Sequence, residues 1–186
     1  DATGTKALGN ATQGGDGVTI SGGSSGNRIG GNTTGERNVI SGNGDSNHWA
    51  DGVRIRDSNT KFNRVIDNYI GVDVTGRSAV QNYGHGIEVH SSSSDNSIGG
   101  SSSGEGNVIS GNRDWGVSLW LGASDNVVLG NRIGTDATGT SKLGNGGGVL
   151  IAGGSSRNTV GGTTPGTRNV ISGNRGRGLE LGHRPQ

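Results

Sequence analysis

The chain has 186 residues, of which 26% are hydrophobic and 3% aromatic, with 41 glycines, no cysteine, no methionine and a formal net charge of +1. So little apolar material excludes a conventional two-layer domain with a thick core, and the missing cysteines exclude a disulfide frame or a thiolate metal site. The near-neutral charge and dispersed Lys and Arg give no basis for nucleic-acid binding, and no apolar run approaches the roughly 18 residues of a membrane span.

A polar, Gly-rich chain could be disordered, but the apolar residues are not scattered. They are nearly all Val, Ile and Leu, in short clusters at regular intervals. In chain order, glycine followed by apolar–any–apolar stands at Gly17 (GVTI), Gly52 (GVRI), Gly86 (GIEV), Gly116 (GVSL), Gly148 (GVLI) and Gly178 (GLEL), at steps of 30 to 35 residues. Ten or eleven residues after each of the first five comes an asparagine: Asn27, Asn63, Asn96, Asn126 and Asn158. A second asparagine opens another apolar cluster at Asn38, Asn68, Asn107, Asn131 and Asn169, and two positions later stand Ile40, Ile70, Ile109, Ile133 and Ile171. The gap between the two asparagine rows alternates between 11 and 5, so two kinds of coil alternate. The strings NVISGN at Asn38, Asn107 and Asn169, and D-A/V-T-G at Asp1, Asp73 and Asp136, mark the same pairing.

Alternating apolar and polar residues within each cluster give the period of a strand with one buried face. Gly, Asn, Ser and Asp between clusters are turn formers. Three strands and three turns per repeat describe one rung of a solenoid, with rungs about 4.8 Å apart. The expected fold is therefore all-β: a right-handed parallel β-helix, a single-stranded solenoid of about six coils with three short strands per coil. It forms one domain over 1–186, with a partial coil at 1–16 and coils starting near 17, 52, 86, 116, 148 and 178. Such a rung needs only one or two inward aliphatic side chains per strand, which reconciles the fold with the composition. Both asparagine rows are expected to form amide ladders along the axis.

The string from Ile133 to Asn174, IGTDATGTSKLGNGGGVLIAGGSSRNTVGGTTPGTRNVISGN, resembles the parallel β-helix repeats of large secreted or surface-displayed bacterial proteins, within the pectate-lyase-like β-solenoid superfold. The resemblance covers essentially the whole chain. It implies the fold and an extracellular or cell-surface address, and says little about chemistry.

Reading outward positions down the first strand gives three rows. The third position of the glycine cluster reads Thr19, Arg54, Glu88, Ser118, Leu150, Glu180; two residues on it reads Ser21, Arg56, His90, Trp120, Ala152, Gly182; just before the glycine it reads Asp16, Asp51, His85, Trp115, Gly147, Arg177. Arg54, Arg56, His85, Glu88, His90, Trp115 and Trp120 should thus share one patch, with Trp49 and Asp51 at its margin. One reading is a carbohydrate-binding strip, with Trp faces on sugar rings and charged groups on hydroxyls or uronates. The plainer reading is an Arg54–Glu88 ion pair between rungs, with the tryptophans covering apolar turns. A single carboxylate is too few for a glycosidase pair, so no catalytic residue is assigned; an enzyme on this scaffold would be a polysaccharide lyase or glycoside hydrolase. The recurring loop aspartates read as Asx-turns rather than calcium ligands, and no metal or cofactor site is assigned. No row carries the regular threonines of an ice-binding solenoid.

The chain begins and stops inside repeats, and neither end reads as a cap. Flanking coils of a longer chain, or end-to-end self-association, would complete it. The leading functional expectation is a non-catalytic extracellular structural solenoid, as scaffold, stalk or filament subunit. The alternative is a carbohydrate-binding module or a piece of a polysaccharide-active protein.

Overall fold

The computed structural model describes residues 3–10 and 15–182. Its strands stack into three parallel sheets. The first holds β1 (Val18–Ile20), β4 (Val53–Arg56), β7 (Ile87–His90), β10 (Trp115–Leu119), β13 (Gly147–Ile151) and β16 (Leu179–Leu181). The second holds β2 (Arg28–Gly30), β5 (Arg64–Ile66), β8 (Ser97–Gly99), β11 (Val127–Leu129) and β14 (Thr159–Val160). The third holds β3 (Val39–Ile40), β6 (Tyr69–Ile70), β9 (Val108–Ile109), β12 (Arg132–Ile133) and β15 (Val170–Ile171). Each strand pairs with the one three places on, so the chain is a parallel β-solenoid with three strands per coil. Six strands in the first sheet against five in the others make five complete turns and the opening strand of a sixth, rather than six full coils.

The core is a column of stacked aliphatic residues. Val53 and Ile55, Ile87 and Val89, Val117 and Leu119 come from the first sheet, Val65, Ile98 and Val128 from the second, and Ile70, Ile109 and Ile133 from the third; all are fully buried. The glycine that opens each first strand is fixed by this column. A Cβ on Gly86 would lie 2.5 Å from Ile109 Cγ2 and 2.6 Å from the carbonyl oxygen of Gly116. Gly52 and Gly116 face Ile70 and Ile133 in the same way. The third-sheet isoleucine therefore occupies the space a side chain would need, which is why the glycine and the isoleucine recur together.

Both expected asparagine ladders form. Asn27, Asn63, Asn96, Asn126 and Asn158 are joined Nδ2 to Oδ1 at 2.9, 3.0, 3.1 and 3.2 Å. Asn38, Asn68, Asn107, Asn131 and Asn169 are joined at 3.0, 3.2, 2.9 and 3.2 Å. A third ladder, which the sequence reading did not identify, runs through Asn10, Asn43, Asn82, Asn112, Asn145 and Asn174 at 3.2, 2.8, 2.9, 2.8 and 3.0 Å. Each solenoid corner therefore has its own amide column.

The alternation of coils is a matter of which corner carries extra chain. Coils with the long gap between asparagines insert short 3-10 turns such as Thr34–Glu36 and Pro165–Thr167. Coils with the short gap place their extra residues after the third strand, closed by antiparallel bridges Val72 to Ala79 and Thr135 to Lys142. Asp73 and Asp136 head these loops. Asp73 Oδ1 accepts from Thr75 Oγ1, Arg77 N and Ser78 N at 2.8, 3.0 and 3.3 Å; Asp136 Oδ1 accepts from Thr138 Oγ1, Thr140 N and Ser141 N at 2.8, 3.0 and 3.1 Å. These carboxylates organise their own loops, as Asx-type turns do. Burial works against ionisation at Asp73, but its three hydrogen bonds prevail and hold its pKa below the usual value. The third expected loop aspartate, Asp1, lies outside the described residues.

Candidate functional site

Strand register builds the outer surface of the first sheet. Thr19, Arg54, Glu88, Ser118, Leu150 and Glu180 pair rung to rung in that order. Arg56 pairs with His90, and Trp120 continues that row by donating its N–H to the Val89 carbonyl at 2.9 Å. Gly86 N donates to the Trp115 carbonyl and Gly52 N to that of His85, which stacks the row before the glycines. The seven residues singled out from sequence, Arg54, Arg56, His85, Glu88, His90, Trp115 and Trp120, thus share one face on three successive coils.

The chemistry of that face differs from the sequence reading in one respect. Four carboxylates gather on it, not one: Asp16, Asp51, Glu88 and Asp114. Asp51 is fully buried at its centre. Its Oδ2 accepts from Arg54 Nε and Nη2 at 3.0 and 2.8 Å, and its Oδ1 accepts from His85 N at 2.7 Å and Trp49 Nε1 at 3.1 Å. Arg54 also lies 3.3 Å from Asp16 Oδ2 and 3.4 Å from Glu88 Oε2. The expected Arg54–Glu88 contact therefore exists, but as the longest arm of a partly buried network centred on Asp51. The row before the glycines carried Asp16 and Asp51 and set Asp51 at the margin of the patch; the structure puts Asp51 at its centre, because the turn before the strand aims its carboxylate at Arg54. Asp114, in the same kind of turn one residue before Trp115, gave no signal of its own.

Glu88 is strongly perturbed. Burial pushes its carboxyl up first, the negative charge of Asp51 next, and hydrogen bonding with Asp51 and the charge of Asp16 add to this, against the pull of Arg54; it is raised to about 7. His90 is shifted the opposite way, below its usual value, by burial and then by the positive charges of Arg54 and Arg56, against the opposing pull of Asp51 and Asp57. Its Nε2 is buried without a hydrogen-bond partner, 3.7 Å from Glu88 Oε2. His85 stands between two carboxylates, Nε2 3.7 Å from Glu88 Oε1 and Nδ1 3.7 Å from Asp114 Oδ2. Trp49 meets its ring edge-on at 5.3 Å.

A folded-state pKa above the unfolded value means that protonated Glu88 contributes stability below about pH 4.5, and that this is lost as pH rises through about 7. Glu88→Gln removes that loss. The stability of Glu88→Gln relative to the parent is expected to climb between pH 4.5 and 7 by on the order of a few kcal/mol and then level off. Urea unfolding at intervals across that range checks it; a flat or falling difference contradicts the assignment.

Beside this network the surface turns apolar. Trp115, Leu150 and Ala152 form a second buried cluster on the outside of the sheet, with Trp120 packed against it. Trp115 lies flat on Gly147, whose hypothetical Cβ would touch ring atoms Cε3 and Cζ3 at 2.4 Å. It is 7% exposed, whereas Trp49 is 47% exposed and Trp120 is half-buried. A depression of about 170 Å³ opens where the charged and apolar parts meet, lined by His85, Glu88, Asp114, Trp115, Ser118, Trp120 and Leu150. Arg54, Arg56 and His90 do not line it. Arg54 supports Glu88 from behind, and Arg56 is exposed to one side.

Several charged side chains elsewhere are tied to the scaffold. On the second sheet Arg28 pairs with Glu36 at 3.0 Å and Arg64 with Glu105 at 2.7 Å. Glu36 and Glu105 also cap their own loops by accepting from Asn32 N and Ser102 N. Compared with known protein families, curated proteins and solved structures, the chain matches none.

Proposed function

We propose that this chain is an extracellular, surface-type structural solenoid whose first sheet binds carbohydrate, and that it acts by adhering to a glycan rather than by cleaving one. One observation carries this reading: the His85–Glu88–Asp114 depression, floored by Ser118 and walled by Trp115, Trp120 and Leu150, on a molecule whose other polar groups largely serve its own coils. Apolar ring faces suit the C–H faces of a pyranose, and a few convergent polar groups suit its hydroxyls. A straight rung-by-rung surface also suits a polymer that repeats along one direction. The resemblance of the repeats to secreted bacterial β-helices supports the extracellular address and the kinship to the pectate-lyase-like superfold.

The aromatic roles follow from exposure. Trp120 and Trp49 have ring surface to offer, while Trp115 serves mainly as a wall. Trp120→Ala is expected to weaken glycan binding at least tenfold, equivalent to about 1.4 kcal/mol, and the Trp120→Ala/Trp49→Ala double variant to abolish it, with circular dichroism showing the solenoid still folded. Isothermal titration against hits from a glycan array provides the measurement. Undiminished binding in the double variant, or no glycan bound by the parent chain, refutes the proposal.

A further inference from the structure

We propose that the depression accepts an uncharged hexosyl unit and discriminates against uronates and other anionic sugars. The inference rests on the carbohydrate-binding reading and deepens it. The patch read from sequence offered charged groups for hydroxyls or uronates, but its two arginines stand outside the depression, Arg54 held in the carboxylate network and Arg56 exposed to one side. No Lys or Arg lines the depression. Arg54, which reaches Glu88 from the preceding coil, is engaged by Asp51, Asp16 and Glu88 at 2.8, 3.3 and 3.4 Å, and its side chain is only 25% exposed. Arg177, at the margin of the neighbouring hollow beyond Trp115, is paired to Glu180 at 3.0 Å.

What does line the depression is suited to hydroxyls. The Asp114 side chain, 38% exposed, offers acceptor oxygens. The Ser118 hydroxyl and the His85 ring can each donate or accept. Glu88, protonated, can donate as well as accept. Trp120, Trp115 and Leu150 supply an apolar wall. A sugar carboxylate placed among these groups would meet the Asp114 carboxylate, with Asp51 behind it, and like charges brought together across an interface repel. A neutral ring meets the same groups as hydrogen-bond partners.

The discrimination should depend on pH. The groups facing Glu88 are Asp16, Asp51 and Arg54 from the preceding coils, His85 and His90 from its own coil, and Asp114 from the next coil across His85. As pH rises from 6 to 8, Glu88 ionises and the depression gains a negative charge, so rejection of anionic sugars should sharpen.

The test uses oligosaccharide pairs that differ only in oxidation at C6: cellohexaose against β-1,4-linked glucuronate hexamer, and mannohexaose against β-1,4-linked mannuronate hexamer. Titration calorimetry of the whole chain at pH 6, 7 and 8 is expected to show at least one neutral member binding ten or more times tighter than its uronate twin. The ratio should widen toward pH 8 in the parent chain and stay constant in Glu88→Gln. Asp114→Asn, which removes one negative charge from the lining, should narrow the ratio at every pH. Tighter binding of a uronate member overturns the specificity but leaves the carbohydrate-binding reading standing. Binding by neither member of either pair, with no other glycan retained, overturns both.

Discussion

Replacing Asn96 with alanine is expected to destabilise the solenoid by roughly 3–5 kcal/mol, a large part of the 5–15 kcal/mol that holds a typical domain folded. Asn96 is fully buried. Its Oδ1 accepts from the backbone N and Nδ2 of Asn63, both at 3.0 Å, and its Nδ2 donates to Asn126 Oδ1, Thr60 O and Ser94 O at 3.1, 3.2 and 2.8 Å. Alanine strands the buried backbone N–H of Asn63 and one of its two side-chain N–H donors, the amide keeping its bond to Ser24 O; it also empties the space of a buried amide, and each unsatisfied buried group costs about 1–3 kcal/mol. Asn27→Ala is the matched control. Asn27 is exposed, it only donates along the ladder at 2.9 Å, and Asn63 Oδ1 keeps the bond from the Asn27 backbone. That variant should lose less than about 1 kcal/mol. Urea unfolding of the pair decides the matter, with amide exchange at Asn63 as the local readout. Equal losses would mean that the ladder is worth no more than its exposed rung.

The second large effect is expected at Asp51. Alanine there removes the closest partner of Arg54 and the acceptor for the buried His85 N–H, so a loss of about 3 kcal/mol or more follows from breaking a buried ion pair on one side. Asp51→Asn separates shape from charge. The amide oxygen still accepts from His85 N, so the fold should suffer less. Glu88 loses the second largest cause of its raised pKa and becomes a main partner of Arg54. Its titration should fall from about 7 toward the ordinary carboxylate range, without reaching it because burial remains. Carboxyl-carbon NMR of selectively labelled glutamate reports this directly. An unchanged Glu88 titration in Asp51→Asn would show that burial alone sets the value.

The sequence carried the architecture because the repeat is a geometric statement. Counting from each glycine aligned Arg54 with Glu88 and Arg56 with His90, and those are the observed rung partners. Two asparagine ladders were legible because each residue opens a strand. The third was not, since it stands at the corner where loops of different length enter. Asn82, Asn112 and Asn174 do fall four residues before Gly86, Gly116 and Gly178, a signal that counting backward from the glycines would have found. The charged network was harder to read. Whether Asp51 points into Arg54 or out to solvent depends on turn geometry that a period of two does not encode. Exposure was similarly hidden: Trp115 and Trp120 look equivalent on paper, yet Trp115 is laid flat by the bare surface of Gly147 on the next rung.

The three ladders share one sense. In each, the Asn-to-Asn bond always runs toward the next coil, from Asn27 to Asn63, from Asn38 to Asn68 and from Asn43 to Asn82, and onward without reversal, while the same amide nitrogens also donate back to backbone carbonyls of the preceding coil, as Asn63 does to Ser24 and Asn68 to Ile29. The amide dipoles are therefore aligned along the axis in all three columns, as peptide dipoles are in an α-helix. Paired backbone groups of a sheet nearly cancel; these side chains do not. The side-chain carbonyl oxygens of all three columns therefore face the same end of the solenoid, each accepting from the coil before it. Two cross-sections of it can continue each other's hydrogen bonds head to tail and in no other orientation.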